Sequence, residues 1–466
     1  MPKMYLKIQK RLSKTKSLKT GGEKMAVQKI KSYFDLTPGK MRLRMVLCVL
    51  STVLMGIVYY HIYSDIKQTI QTVGKDTAPS IIAAQDVYAY LADANANAIN
   101  AKLINEDKDE IFWEEYHKAI TRVHLDLVPV IKNITYSPDL LHSRNIMVNI
   151  QEYEDKIGDI RNSANGKDIF TVNSIMQQEL LPSAKTLANV NYSYLELAYK
   201  SHIDRTIINY LLFGVPAFVV LAVLILAQYY LFRRTRRRIN IGLFLATAVY
   251  AIFLVYASIS LYTAEKHLII AKENAFDSVY ALGQAKAVSY DTNADETLFL
   301  VFHGEKSSQE DLTAQFNKKA RAITDIGPQQ AIEKATAGQK FGGFLGEELS
   351  NITFPGESKA AAKTLKEWSE YINTDQKIRE LEYQGKHDEA VVLCLGKNPG
   401  QLDYQFDLFD NALQETKDIN LRQFYSHINI ASGMLNSFPI VLAGIVVLIL
   451  ALSIWGINQR LTQYRE

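Results

Sequence analysis

Four stretches of this 466-residue chain carry no charged side chain over 20 residues or more: Met45–Ser64, Thr206–Phe232, Ile239–Ala264 and Ile428–Gln459. A helix rises about 1.5 Å per residue, so about 20 apolar residues cross a hydrocarbon core of about 30 Å. Each stretch is therefore predicted to be a transmembrane helix. The mean hydropathy of −0.06 resembles that of a soluble protein only because apolar and charged segments average out.

Five arginines separate the second stretch from the third and occupy five of the six positions 233–238. They are Arg233, Arg234, Arg236, Arg237 and Arg238. Burying five guanidinium groups in lipid would cost roughly 12 to 18 kcal/mol on insertion scales. The membrane must end at this segment, which is predicted to be a tight turn that determines the topology of the chain.

Basic residues near the ends of spans favour the cytoplasm. Residues 1–44, 233–238 and 460–466 together contain 20 basic and 3 acidic residues, which leaves 32 basic and 46 acidic residues for the rest of the chain. Both termini and the arginine turn are thus predicted to be cytoplasmic, in a bacterial plasma membrane, with the two long segments outside. The N-terminal segment lacks an apolar stretch of signal-peptide type before its basic residues, so we expect no cleavage there.

The predicted organisation has nine parts. In chain order these are a basic cytoplasmic arm (1–44), the first span (45–64), the first outer segment (65–205), the second span (206–232), the arginine turn (233–238), the third span (239–264), the second outer segment (265–427), the fourth span (433–457) and a cytoplasmic tail (458–466).

Both outer segments show helical periodicity interrupted by turn signals, without the short alternating strands of a sandwich. The first segment has three such breaks, at 105–107, 135–139 and 162–168, which predict four helices. Two motifs recur in the second segment. The pattern D-x-N-A-N/D stands at 93–97 and 291–295, and EY, IR and GK follow in the same order from Glu152 and from Glu370. We therefore predict an all-α integral membrane protein with two extracytoplasmic four-helix bundles from internal duplication.

This layout resembles the input side of bacterial chemoreceptors and sensor kinases, and "IRELEYQGKHDEAVVLCLGKNPGQLDYQFDLFDNAL" (Ile378–Leu413) is similar to a turn common in their four-helix sensor domains. Those receptors continue into a cytoplasmic relay, whereas here a six-residue turn and a short tail follow the spans. The chain is also similar to four-span actinobacterial membrane proteins, through "LTPGKMRLR", "ANANA", "DTNADET" and "ELLPSA". That family is encoded beside a glutamate-type solute-binding lipoprotein and a cytoplasmic Ser/Thr kinase, which the resemblance implies as partners.

A polar cluster marks the opening helix of each outer segment. Asp93, Asn97 and Asn100 follow at i, i+4 and i+7, so they share one face of an alanine-rich helix. The more acidic counterpart in the second segment contains Asp291, Asn293 and Asp295, followed by Glu296. Such a stripe could bind a small polar molecule or pair with another subunit as a homodimer, and it could equally be a solvated helix face.

Three further side chains are candidates for binding or for helix packing. Asn95 falls on the apolar seam of its helix, so its amide must form hydrogen bonds across the helices or cost about 1 to 3 kcal/mol. Arg161 and Arg379 take equivalent places in the recurring motif and could bind a carboxylate through two parallel hydrogen bonds. An internal salt bridge or plain exposure is the alternative for both arginines.

No catalytic or nucleotide-binding motif is present, and the nine histidines lack metal-ligand spacing, so we predict neither an enzyme nor a cofactor. His387 is expected on a solvated turn. The leading interpretation is a non-enzymatic transmembrane sensor or adapter that binds a small solute or a solute-binding protein outside and acts on a cytoplasmic partner. A structural or assembly scaffold of the cell envelope is the alternative. Transport is weaker, because pathways for ions usually place charges inside the spans.

Overall fold

The computed structural model describes residues 37–104, 109–132, 137–162, 169–235 and 239–464. Within these residues the chain is helical and contains no β-strand, so the predicted all-α class is confirmed. Arg233 and Arg234 are described. The predicted turn residues Arg236, Arg237 and Arg238 lie outside the described residues, as do positions 1–36 of the basic arm.

The described part of the first half contains six α-helices. They are α1 (Thr37–Gln71), α2 (Ala78–Leu103), α3 (Asp109–Lys132), α4 (Ser137–Asn162), α5 (Ile169–Ile175) and α6 (Leu181–Thr235). The described ends of α2, α3 and α4 fall at or next to the breaks that the sequence predicts. A π-helical turn at Met176–Leu180 connects α5 to α6, directly before Pro182.

Nine helices follow in the second half, as far as the structure describes it. They are α7 (Ile241–Ile269), α8 (Asp277–Val301), α9 (Lys306–Ile323), α10 (Pro328–Thr336), α11 (Phe344–Leu349), α12 (Glu357–Tyr383), α13 (His387–Cys394), α14 (Leu402–Asn436) and α15 (Phe438–Leu461). A 3₁₀ turn, Thr462–Tyr464, ends the described chain.

Among the described residues, four continuous helical stretches are long and apolar enough to cross a membrane by length and composition: Thr37–Leu103, Ile169–Arg234, Ile241–Val301 and Leu402–Leu461. Each overlaps one of the four stretches predicted from the sequence. The chain is therefore a multi-pass membrane protein.

The chain divides into two compact units, and the first, here the span unit, comprises the described parts of Met1–Ile66, Asp204–Thr263 and Met434–Glu466. Its helices pack closely where small residues meet. A Cβ added to Gly242 of α7 would lie 2.7 Å from the Cα of Gly456 in α15, and the buried Asn240 donates from Nδ2 to the Gly456 carbonyl at 2.7 Å. Small residues permit such close packing of helices in lipid, where interhelical hydrogen bonds add to it.

The second unit, here the loop unit, comprises Lys67–Ile203 and Ala264–Gly433, and so combines both predicted outer segments. One hydrophobic cluster contains buried residues of both, including Trp113 and Tyr153 from the first and Trp368 and Phe409 from the second. Helix α2 packs against α3 of its own segment and against α8 of the other. The two segments therefore share one core, which the sequence did not predict.

A π-helical turn precedes both α2 and α8, at Thr72–Thr77 and at Ile270–Phe276. Such turns arise where an extra residue is accommodated within a helix. The sequence predicts a bend or restart of the first helix at Pro79, and the structure has Pro79 as the second residue of α2, shortly after the π-helical turn. The turn before α8 contains no proline, so proline alone does not explain the recurrence.

Candidate functional site at the interface of α2 and α8

The opening helices α2 and α8 pack against each other because small side chains line both. A close approach joins Gln85 to Gly283, where an added Cβ would lie 2.0 Å from Gln85 Oε1. Gln85 is buried and donates from Nε2 to the Tyr280 carbonyl at 3.0 Å. The two opening helices therefore pack on each other within one chain. Pairing of their polar stripes with a second subunit stays a prediction.

A buried ionic cluster lies on one side of this interface. Lys319 of α9 reaches Asp291 Oδ1 at 2.9 Å and Asp295 Oδ2 at 2.7 Å. Asp291 also accepts hydrogen bonds from Tyr88 of α2 at 3.0 Å and from Gln177 at 2.9 Å. Burial raises the pKa of Asp295 to about 7 although Lys319 opposes the shift, and Asp291 adds to the increase. This cluster joins the two outer segments through the hydrogen bonds that Tyr88 and Gln177 donate to Asp291.

Asp93 lies in a second cluster of polar side chains. Asn97 donates from Nδ2 to Asp93 Oδ1 at 2.9 Å and to its carbonyl at 3.0 Å, so the predicted i, i+4 pair forms within one helix. Burial is the main cause that raises the pKa of Asp93 to about 7, and the carboxylate of Asp410 raises it further. The buried ammonium of Lys286 opposes that shift and lies 3.9 Å from Asp410 Oδ1.

Arg379 is buried within a second ionic network of the second segment. It contacts both oxygens of Asp375, at 3.0 and 3.1 Å from Nε, and Glu296 Oε2 at 2.6 Å. Its guanidinium lies 4.5 Å from the ring centres of Phe299 and of Phe316. The carboxylate contact considered from the sequence is thus made to this chain's own side chains.

Arg161, in the equivalent motif position, has a different environment. Its side chain is 41% exposed and bonds Glu110 Oε2 at 3.0 Å, with Glu110 itself 79% exposed. The guanidinium lies 5.5 Å from the Trp113 ring centre. The two arginines therefore share a sequence position but only Arg379 is enclosed by the core.

The asparagine at the third position of the D-x-N-A-N/D motif accepts a hydrogen bond from a tyrosine in both segments. Buried Asn95 donates to Asn173 Oδ1 at 2.9 Å and accepts from the hydroxyl of Tyr153 at 3.3 Å, so its predicted hydrogen bonding across the helices is confirmed. In the second segment, Asn293 accepts from the hydroxyl of Tyr371 at 3.5 Å. Each tyrosine belongs to the EY of its own segment.

The sequence did not single out the buried lysines that complete this interface. Lys286 and Lys319 contact it as described, and Lys417 of α14 reaches Asp86 Oδ1 of α2 at 3.0 Å. A charge within an otherwise alanine-rich seam was the signal that could have indicated Lys286. Asn100, the last member of the predicted stripe, is buried, and its Oδ1 has no hydrogen-bond partner among the described residues.

A sequence profile described as "Actinobacterial sensor domain" matches residues 69–200. This range covers nearly the whole first outer segment, including the π-helical turn, α2 and the described parts of α3 to α5. No curated protein and no solved structure matches the chain. The match supports a sensor-type actinobacterial protein with a role in sensing or signalling.

Proposed function

We propose that this chain is a non-enzymatic transmembrane sensor or signalling adapter. Its outer segments bind a small solute or a solute-binding protein, and the chain passes the signal to a cytoplasmic partner, for which a Ser/Thr kinase is the candidate. The observation that carries the proposal is the sensor-domain match over residues 69–200, between the first two apolar stretches.

The proposed topology places segments 65–205 and 265–427 outside the plasma membrane and the arginine turn inside. Charge segregation supports it, since the short segments are basic and the long ones acidic. Within the described chain, Arg233 and Arg234 end α6 with exposed side chains. A partner that binds this turn or the basic arm would do so electrostatically.

Internal duplication is the second part of the proposal, and three recurrences support it. The π-helical turns at Thr72–Thr77 and Ile270–Phe276 begin 198 residues apart. The same step separates Gln85 from Gly283, which contact each other. Two copies related by an approximate two-fold axis would bring equivalent residues together in this way. The hydrogen bonds from Tyr153 and Tyr371 to the two motif asparagines are the third recurrence.

We assign the signal-sensitive element to the α2–α8 interface. Hydrogen bonds from Gln85 and Tyr88 cross it, and ion pairs to neighbouring helices flank it, so a shift between α2 and α8 would exchange one set of polar contacts for another. Such exchange is a recurring basis of switching. Lys319 connects α9 to two carboxylates of α8, one of which also bonds Tyr88 of α2. A ligand that binds one arrangement better than the other would shift the equilibrium between them.

A cavity in the second segment is the proposed place for a small solute. It measures about 400 Å³, within the range typical of ligand pockets, and lies between α10, α11 and α12. Apolar residues such as Ile332, Leu349 and Leu365 line it together with Ser350 and Lys340. The lysine favours a solute that carries a negative group.

The proposal is tested by thermal unfolding of the full chain in detergent against a panel of amino acids and dicarboxylates. A ligand that binds only the folded state raises the melting temperature. Ala362 lines the cavity and is exposed to solvent, so Ala362→Trp would place a large ring at the cavity. This variant should abolish the rise in melting temperature. Leu197→Ala, on an exposed site of α6, should leave it unchanged.

Binding to a solute-binding protein is tested separately, by cross-linking in intact cells followed by identification of the attached proteins. Capture of an extracytoplasmic binding protein together with a cytoplasmic kinase would support the adapter. No solute effect combined with capture of wall-synthesis proteins alone would contradict it and favour the scaffold.

A further inference from the structure

Two histidines and a glutamate that are distant in sequence meet in the loop unit. His303 Nδ1 lies 2.5 Å from Glu382 Oε1, and His387 Nδ1 lies 2.8 Å from Glu382 Oε2. The two imidazole ring centres are 4.2 Å apart. One potential ligand atom from each of the three residues lies within 4.8 Å of the others.

The local fold explains why these side chains converge. His303 follows the end of α8, Glu382 stands in the last turn of α12, and His387 begins α13. Gly385, with φ of +76°, makes the turn that brings α13 back towards α12. A residue with a side chain adopts such a left-handed conformation only at a cost, so glycine suits this turn.

Glu382 is buried, and a hydrogen bond from Gln309 fixes its side chain. Its side chain is 2% exposed, and buried Gln309 of α9 donates from Nε2 to Oε1 at 3.1 Å. Burial alone would raise the pKa of Glu382, but hydrogen bonds from both histidines and Gln309 outweigh it and lower the pKa. The histidines, in contrast, are open to solvent, with His303 50% and His387 26% exposed.

We propose that His303, Glu382 and His387 form a binding site for a divalent transition metal ion, with Zn²⁺ the best match. Two imidazoles and one carboxylate are a donor set that Zn²⁺ binds well, with a fourth position left for water or another ligand. The orienting hydrogen bond from Gln309 is the outer-shell support that such sites use. Exposure on the histidine side provides the entry path.

The ion would connect the end of α8 to the junction of α12 and α13. Because α8 is the helix that packs on α2, metal binding would stabilise one end of the proposed signal-sensitive interface. The site itself does not depend on the sensor proposal, and its test gives a separate answer.

Metal binding is measured on the full chain, purified in detergent with an affinity tag that lacks histidine and stripped with a chelator. Titration with Co²⁺ follows the visible absorption of the coordinated ion, and Zn²⁺, which is spectroscopically silent, should displace it. We expect one equivalent to bind and the melting temperature to rise. Gln309→Ala should weaken binding about 10- to 100-fold, and His303→Ala or His387→Ala should weaken it further.

Both histidine variants change solvent-accessible side chains, so folding is retained and can be checked by circular dichroism. His124→Ala is the matched control, since this exposed histidine pairs with Glu154 at 3.4 Å and, within the described residues, no second imidazole joins the pair. It should bind Co²⁺ as the parent does. Absence of stoichiometric binding to the parent chain, or binding that survives in the double variant His303→Ala/His387→Ala, would overturn the proposal and leave the cluster as a metal-free hydrogen-bond network.

Discussion

Gln85 of α2 contacts Gly283 of α8, a residue 198 positions later in the chain, and the same step separates Asp93 from Asp291. A contact between counterparts is expected at a two-fold axis. In this chain it supports the proposal that the two outer segments derive from one ancestral unit and pair as the halves of a dimer would.

Gly283→Ala should destabilise the loop unit. The added methyl group would lie 2.0 Å from Gln85 Oε1 and 2.6 Å from its Cδ, which forces a buried amide to move and breaks its bond to the Tyr280 carbonyl. We expect a loss of about 1 to 3 kcal/mol in the free energy of unfolding, measured by chemical denaturation.

Gly158→Ala is the control, because no described residue lies within 4 Å of the added Cβ on this exposed helical site. It should be neutral or stabilising by up to about 1 kcal/mol. In the double variant Gln85→Ala/Gly283→Ala, part of the Gly283→Ala loss should be recovered. Strict additivity of the two losses would contradict the proposed contact.

Arg379→Ala should cost about 3 to 5 kcal/mol, because it leaves the buried carboxylates of Asp375 and Glu296 without their partner. Arg161→Ala, its counterpart in the motif, removes an exposed pair with Glu110 and a cation–π contact with Trp113, and should cost about 1 kcal/mol or less. Equal losses in the two variants, compared by thermal and denaturant unfolding, would show that the difference in burial is incorrect.

The loop unit should lose stability as the pH rises through the range of its buried acids. The pKa of Asp93 and of Asp295 is raised to about 7 in the folded protein, against about 3.9 in an unfolded chain. Between these values the folded state keeps protons that the unfolded state has released, so the free energy of unfolding falls as the pH increases. We expect a decrease on the order of 1 kcal/mol per group between about pH 5 and about pH 8.

Asp93→Asn should make this pH profile less steep, since an amide does not titrate and Asp295 still contributes. Asp159→Asn serves as its control because that side chain is 78% exposed, and it should reproduce the parent profile. A parent protein that becomes steadily more stable from pH 5 to pH 8, as followed by tryptophan fluorescence in denaturant, would argue against buried, proton-binding carboxyls at these positions.

Asn95→Ala should cost about 1 to 3 kcal/mol, because it removes the hydrogen bond to Asn173 and the acceptor for Tyr153 within the core. Asn97→Ala removes bonds to Asp93 of its own helix at a partly exposed site, so a loss under about 1 kcal/mol is expected. The comparison is made by denaturant unfolding at one pH. A larger loss for Asn97 would contradict the assignment of Asn95 to the seam.

The four spans were predictable because absence of charge over 20 residues is a local property of the sequence. Helix ends were predictable where turn residues cluster, as at the break that follows α3. The hydrogen bonding of Asn95 followed from its place on an apolar seam, since a buried amide must find a partner.

The packing of α2 on α8 was not predictable, because an alanine-rich face fits any close neighbour and does not identify which helix that is. The partners of Asp291 and Asp295 were not predictable for the same reason. Lys319 lies in a separate helix, and no local sequence feature indicates that it is close to them. His387 was assigned to a solvated turn for this reason too: its contact with His303 spans more than 80 residues and depends on the turn at Gly385.

The proposed topology is tested most directly by labelling single cysteines on intact cells with a membrane-impermeant thiol reagent. The native Cys48 and Cys394 are buried and should give little background. Lys118→Cys and Lys363→Cys, at side chains 57% and 51% exposed on the two outer segments, should both react, whereas Arg234→Cys should react only after the cells are opened. Labelling of Arg234→Cys on intact cells, with both outer sites protected, would contradict a sensor that presents these segments to the outside.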